Sequence, residues 1–291
     1  RSIVPFPPGG AADFLARPMQ QKLAESFGQP VIIENRPGAD GAIGAEATAR
    51  ATPDGYTILL GTMGTQVLNA LFQKSLPYDP IRDFTPITLA TLSVIGLVAN
   101  PTQKFSSLSD LIARAKKQPG VFSFASNGNG SAHHIAGELL KKLAGINLVH
   151  VPYKGGAQAA TDLLSGQIPL GFFTLAAVLP HIQQGKLQLL GVIEPRRFAI
   201  FPDVPSIGEA VPGYEVSSWS GVLAPAKLPP AILARLNRDL IAAITAPDTV
   251  KRYEPAGLTV IAGTPEQFAT AIANDLARWR KLSQELGLTP E

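Results

Sequence analysis

The sequence contains no cysteine. That excludes disulfides, thiolate metal sites and a cysteine nucleophile, and it decides nothing about compartment. No apolar run reaches the ~18 residues that a membrane-spanning helix needs, so the chain reads as soluble. Charge is sparse and nearly balanced, with 25 Lys and Arg against 22 Asp and Glu, net +3. Basic residues are scattered (Arg17, Arg36, Arg50, Lys104, Lys154), with local pairs at Lys116-Lys117, Lys141-Lys142 and Arg196-Arg197. Such pairs are solvated helix faces, and there is no basic stripe with interleaved aromatics. No nucleic-acid partner is expected.

Several chemical signatures are also missing. No GxxxxGK followed by Ser or Thr occurs, and in Gly128-Asn129-Gly130-Ser131-Ala132-His133 the third glycine of a dinucleotide fingerprint is replaced by histidine. GxSxG, HExxH and SxxK are absent. None of the four histidines, His133, His134, His150 and His181, has a metal-ligand partner at a recognised spacing. The residues therefore suggest no cofactor, no metal and no catalytic centre. A doubly wound enzyme acting on an acyl or phosphate group is the alternative from another class, and it would require a nucleophile or metal that the sequence does not display.

What is present is a repeated strand-turn-helix pattern. At 291 residues and 45% hydrophobic, the chain can bury a large core and build two domains. The most informative stretch is Val4 to Arg17, VPFPPGGAADFLAR. An apolar strand runs into Pro7-Pro8-Gly9-Gly10, and a helix starts near Ala11 or Ala12, its pattern continuing to Gly28 with Pro18 inside. Strands follow at Val31 to Asn35 and Tyr56 to Leu60, with helices at Ile43 to Arg50 and through Val67, Leu68, Leu71 and Phe72. Phe84 to Asn100 reads as one long strand leaving a first domain. A second domain alternates strands at 122–125, 148–151, 168–173 and 187–193 with helices at 132–144, 157–165 and 176–184. Trp219 to Ala224 reads as a return strand, and the C-terminal stretch carries helices at Pro230 to Thr245 and Pro265 to Leu286 around a strand at 258–261.

The alternation predicts an α/β fold of two lobes, each a mostly parallel sheet flanked by helices, joined by two crossover connections. The boundaries are set at 1–99 and 223–291 for lobe 1 and 100–222 for lobe 2. Two connections permit closure over a ligand.

Ligands of open parallel sheets sit at the carboxyl ends of the strands. The glycine turns fall there: Gly9-Gly10, Gly61 to Thr65, Ser126 to Ser131, and Tyr153-Lys154-Gly155-Gly156. Each leads into a helix, where free N–H groups and the positive end of the helix dipole favour an anion. The expectation is a small carboxylate held across a cleft by backbone N–H groups, water and the hydroxyls of Thr65 and Ser131. Asp13, in the first helical turn, either binds free N–H groups there or receives the ammonium of an amino-acid ligand. His133 either faces the cleft or is a surface or helix-N-terminal histidine, while His150 and His181 are structural.

VPFPPGGAADFLAR, GQPVIIENRPGADGAIGAE, PDGYTILLGTMGT, GNGSAHHIAGE, VPYKGGAQAATDLLSGQI, LPHIQQGKL and FPDVPSIGEA together resemble the Bug family of periplasmic solute-binding receptors. These are the extracytoplasmic binding proteins of tripartite tricarboxylate transporters. The resemblance spans the chain. It implies a two-lobed periplasmic-binding-protein (Venus-flytrap) fold, secretion to the periplasm after removal of a leader, and delivery to membrane permease components. No cofactor is implied, and a monomer is expected.

By resemblance the ligand loops are Gly10, Ala11, Ala12, Asp13 and Phe14; Met63, Thr65 and Gln66; Ser126, Asn127, Gly128, Gly130, Ser131 and His133; Gly156 and Ala157; and Phe173 with Thr174. Phe173 stands where many relatives carry aspartate, and Phe14 where they carry an aliphatic residue or threonine. Two aromatics would shrink the cleft, which points to an acidic amino acid, aspartate before glutamate. Dicarboxylates, tricarboxylates and nicotinate are the other family ligands.

Overall fold

The apolar run from Phe84 to Asn100 is not one strand but two. In the computed structural model, which describes residues 1–153 and 156–286, it breaks at Val94 into Phe84–Ser93 and Ile95–Ala99, and the two pieces belong to different sheets. An uninterrupted apolar run has no period from which such a break can be read. The chain leaves one unit here and enters another.

The elements follow the predicted alternation. The first stretch comprises β1 (Ser2–Val4), α1 (Ala11–Phe27), β2 (Ile33–Asn35), α2 (Ala42–Ala49), β3 (Ile58–Thr62), a π-helical segment (Gly64–Leu68), α3 (Asn69–Phe72) and β4 (Phe84–Ser93). Next come β5 (Ile95–Ala99), α4 (Leu108–Lys117), β6 (Ser123–Ser126), α5 (Ala132–Ala144), β7 (Val149–Pro152), α6 (Gly156–Ser165), β8 (Leu170–Thr174), α7 (Leu175–Gln183), β9 (Gln188–Val192) and α8 (Ile207–Ala210). The chain then returns through β10 (Trp219–Pro225), α9 (Pro230–Thr245), α10 (Pro247–Tyr253), β11 (Leu258–Val260) and α11 (Pro265–Leu286). Helix α10 is an addition to the sequence reading. Pro247 at its first position starts it directly after α9.

Among the described residues, Arg1–Leu92, Trp219–Glu254 and 258–286 form the first unit, and 93–218 with Pro255–Gly257 form the second. The expected boundaries at 99/100 and 222/223 are therefore corrected to 92/93 and 218/219. The chain also crosses around Pro255–Gly257, beyond the two expected connections, because the Val94 amide donates to the carbonyl of Gly257 at 2.8 Å.

The first unit's sheet has the order β11-β4-β10-β3-β1-β2. Strand β1 is parallel to β2 and β3, while β10 runs antiparallel to β3 and β4. The second unit's sheet has the order β7-β6-β8-β5-β9, with β6 parallel to β7 and β8 and β5 antiparallel to β8 and β9. In each sheet the interior antiparallel strand is the first one reached after a crossing.

Helix α1 packs Leu15, Met19 and Leu23 against Val4, Ile58 and Leu60 of the sheet and Leu236 and Leu240 of α9. It runs through Pro18 without a break and ends at Gly28, whose φ of 61° is the left-handed conformation that favours glycine. The second unit centres on Val98, Ala125, Leu163, Phe173 and Val192.

Candidate functional site

In the first unit the loops after β1, β2 and β3 gather at the carboxyl end of the sheet, because these three strands are parallel neighbours. Asn35, at the end of β2, donates from Nδ2 to the Phe6 carbonyl at 3.0 Å and to Asp13 Oδ1 at 3.3 Å. Asp13 Oδ2 accepts the Gly9 amide at 3.0 Å and Arg17 Nε at 2.8 Å, and Arg17 Nη2 reaches Oδ1 at 3.2 Å. Burial alone would raise the Asp13 pKa, but the hydrogen bonds from Arg17, Gly9 and Asn35 more than offset it and hold the carboxyl below its ordinary value. Both oxygens are thus engaged, by Gly9 ahead of α1, by Arg17 one turn on and by Asn35 of β2. Gly10 opens α1 in extended conformation with no side-chain cap, so its own position offers the first-turn amides no side-chain acceptor.

The turn after β3 is closed by Thr65. Its hydroxyl donates to the Thr62 carbonyl at 3.1 Å and accepts the Thr62 amide at 3.0 Å. Met63, Thr65 and Gln66 are all buried. What this turn offers is backbone; the expected Thr65 hydroxyl donor is used internally. A Cβ on Gly41 would stand 2.7 Å from Thr65 Cγ2 and 3.3 Å from Phe6 Cζ. Gly41 has a φ of 87°, so glycine there lets the three loops close on one another.

In the second unit β6, β7 and β8 bring together Ser126, Asn127, Gly128, Gly130, Ser131, His133, Gly156 and Thr174. A Cβ on Gly156 would lie 3.3 Å from Asn127 Oδ1, and one on Gly128 would lie 3.5 Å from the Tyr153 carbonyl. Ser131 caps α5 by accepting the His134 amide, and its hydroxyl donates to the Gly128 carbonyl at 2.7 Å. Its hydrogen is therefore spent three residues back, as that of Thr65 is. His133 is 8% exposed, lies 3.3 Å through Nε2 from Thr174 Oγ1, and is pushed down to about 4 by burial, so it is neutral. Ala157 is exposed on α6. Lys154 and Gly155, part of the same expected turn, lie outside the described residues.

The two aromatics expected to dry the site are spent elsewhere. Phe173 is 1% exposed in the hydrophobic core of the second unit. Phe14 packs its ring 6.2 Å from that of Tyr253, with the Arg252 guanidinium 5.0 Å over it. Neither ring supports the inference of a small ligand.

One contact looks catalytic at first sight. Ser126 Oγ lies 2.6 Å from His150 Nε2, the spacing of a nucleophile and its base. Ser126 is fully buried, however, and its Oγ also accepts the Gly128 amide at 3.1 Å, so this serine fastens a turn. His150 and His134, stacked with ring centroids 3.9 Å apart, were assigned no role at the loop. They lie on a helix and a strand whose juxtaposition no linear spacing encodes. Asn35 could have been found, since it stands in the ENRPGA stretch.

The profile of the tripartite tricarboxylate transporter family receptor, TctC, matches residues 15–288. The chain belongs to this receptor family. Protein BugT of Bordetella pertussis is 38% identical to this receptor over 98% of the chain and 88% of its own length. Among solved structures, Rpa4515 of R. palustris with adipate is 33% identical, covers 100% of the receptor chain and 98% of its own, and superposes with a TM-score of 0.90. MatC of Rhodopseudomonas palustris with bound malate is 31% identical, with 97% of both chains covered and a TM-score of 0.84. The receptor has the fold of the two-lobed periplasmic binding proteins, and the resemblance to Bug receptors holds.

Proposed function

We propose that this receptor captures a small dicarboxylate in the periplasm and delivers it to the membrane permease of a tripartite transporter, without turnover. The observation that carries this reading is the unequal capping of the helices. Helices α4, α5 and α8 begin on serines that accept their first-turn amides, whereas α1 begins on Gly10 with no side-chain cap; α2, α7, α9 and α10 also lack one, and what sets α1 apart is the Pro7-Pro8-Gly9-Gly10 turn at the carboxyl end of β1 that leads into it. Amides left without a side-chain acceptor at a helix N-terminus suit a carboxylate, and each unit by itself presents turn backbone of the same kind, Thr62–Gln66 in the first and Ser126–Ser131 in the second.

Dicarboxylates are preferred to acidic amino acids for two reasons. The features that pointed to aspartate, the Asp13 carboxylate and the Phe14 and Phe173 rings, are each engaged within their own unit. The relatives solved with ligands hold adipate and malate. The test is a thermal-shift and calorimetric panel on ligand-stripped protein with malate, succinate, adipate, aspartate, glutamate, citrate and nicotinate. At one hundred times its Kd a ligand stabilises the native state by about 2.7 kcal/mol. Shifts with the dicarboxylates, and full recovery of the ligand after incubation, are expected. A shift confined to aspartate or glutamate would restore the amino-acid reading, and no shift with any of them would remove the carboxylate reading.

A further inference from the structure

Four rings form a ladder from the surface of the second unit into its core: His134 of α5, His150 of β7, Phe124 of β6 and Phe172 of β8. His134 and His150 stack at 3.9 Å with 13° between planes, His150 lies 5.0 Å from Phe124, and Phe124 meets Phe172 edge-on at 5.9 Å. The upper end of this ladder touches the Ser126–Ser131 loop at two points. His134 Nδ1 accepts the amide of Gly130 at 3.0 Å, and Ser126 Oγ, which accepts the Gly128 amide and donates to the Gly128 carbonyl at 3.1 Å, lies 2.6 Å from His150 Nε2 and so accepts from it. Both glycines have positive φ, 121° and 70°, so neither side of the loop is held by ordinary extended or helical backbone.

We propose that His134 and His150 are positioning residues: as a neutral stacked pair they hold the Ser126–Ser131 loop in its ligand-accepting shape, and protonation of His134 at Nδ1 releases it. The inference takes from the receptor reading only what the loop binds. Its chemistry starts at one atom. To accept the Gly130 N–H, His134 Nδ1 must carry a lone pair, which leaves the ring proton on Nε2, 3.8 Å from Glu138 Oε1. A second proton has to go on Nδ1, where a donor would then face a donor and the loop contact is lost. The stack adds to this, because charging either ring sets a cation against its neighbour's face and charging both sets two like charges at stacking distance.

On α5, Glu138 would draw a proton to His134, but Lys141 pairs with Glu138 at 2.8 Å and opposes it. The neighbouring His133 points to Thr174, and the Tyr214 hydroxyl on the far side of α5 donates to the Ala136 carbonyl. Strands β6 and β8 carry no titratable side chain. Tyr153, just beyond β7, donates to Asp162. Burial first, then His134 and Lys141, push His150 down to about 4.

The first test needs no ligand. A 15N NMR titration of the ligand-free receptor from pH 8 to 4 should show His134 Nδ1 as the unprotonated nitrogen at pH 7.5. The Gly128 and Gly130 amides should then move with the histidine midpoint, and in His134→Gln, which offers a non-titrating acceptor, the Gly130 amide should no longer follow it. A proton on Nδ1 at pH 7.5, or a Gly130 amide that behaves alike in both proteins, overturns the proposal. The second test uses malate as the probe at pH 7.5. His134→Leu should bind malate about tenfold more weakly or worse, and His134→Gln should recover most of that loss. Equal affinity of His134→Leu and the wild type also overturns it. If the wild-type receptor does not bind malate, it is the choice of malate within the receptor reading that fails, and the titration still decides the role of the histidines.

Discussion

Asp13 and Gly9 close a loop on themselves: the carboxylate of the first accepts the amide of the second at 3.0 Å, across four residues. Arg17 and Asn35 complete the carboxylate's shell, so its removal takes the shared acceptor from three donors and loosens the turn ahead of α1. Asp13→Ala should lower the unfolding free energy by about 1–3 kcal/mol in urea titrations. The part due to half-exposed Arg17 is small. The folded carboxyl titrates below 3.8. Its contribution is therefore complete above that value and is lost as pH falls below it. Malate and aspartate affinities should drop by the same factor. A loss confined to aspartate would show that Asp13 meets an ammonium.

Ser131 caps α5. Its hydroxyl accepts the His134 amide and donates to the Gly128 carbonyl. Ser131→Ala should cost about 1 kcal/mol of stability, the usual value of a lost N-cap, with Ser131→Thr recovering most of it. Chemical denaturation of the three proteins at one pH checks this. Full stability in Ser131→Ala would mean that the hydroxyl is free for the ligand after all.

These two residues show what sequence can and cannot carry. The strand-turn-helix order, the ends of α5, α9 and α11 and the Gly28 stop follow from apolar period, proline and glycine, which act locally. The same local signals located the loops at Gly9-Gly10 and at 126–131. They do not say where a hydroxyl spends its hydrogen or which way a ring turns. Phe173 alternates with buried neighbours on both faces of β8, so no period shows it pointing into the core. The break at Val94 was hidden for the same reason, since residues on either side are apolar whichever sheet they join.

Gly137 sits within α5, where a change to alanine would ordinarily help by about 1 kcal/mol. Here an added Cβ would stand 2.2 Å from Phe124 Cε2, in the ring ladder beneath the Ser126–Ser131 loop. Phe124 is fully buried and wedged between His150 and Phe172, so it cannot step aside without moving them. Overpacking of this kind costs about 1–3 kcal/mol and outweighs the helical gain. Gly137→Ala should lower the melting temperature of the second unit's transition in calorimetry. A rise would mean that Phe124 has room to relax.

Glu194 follows β9, where its Oε1 accepts the Ile95 amide at 3.2 Å while its Oε2 is buried without a partner among the described residues. Burial is the dominant cause that pushes this carboxyl up to about 8, against the opposing hydrogen bonds to backbone amides. A folded pKa above the ordinary 4.5 means that the native state keeps a proton the unfolded chain gives up. The stabilisation is complete below 4.5 and erodes as pH rises toward 8. Glu194→Gln keeps the acceptor for Ile95 and is neutral throughout, so it should melt close to the wild type at pH 5 and above it at pH 8. The gap should be a few degrees, at about 2–4 °C per kcal/mol for a unit of this size class. Taking the difference between the two proteins cancels the opposite slope from the buried His133, which favours the native state as pH rises from about 4 to 6.5. A difference that does not change between pH 5 and pH 8 would mean that Glu194 is ionised in the folded receptor.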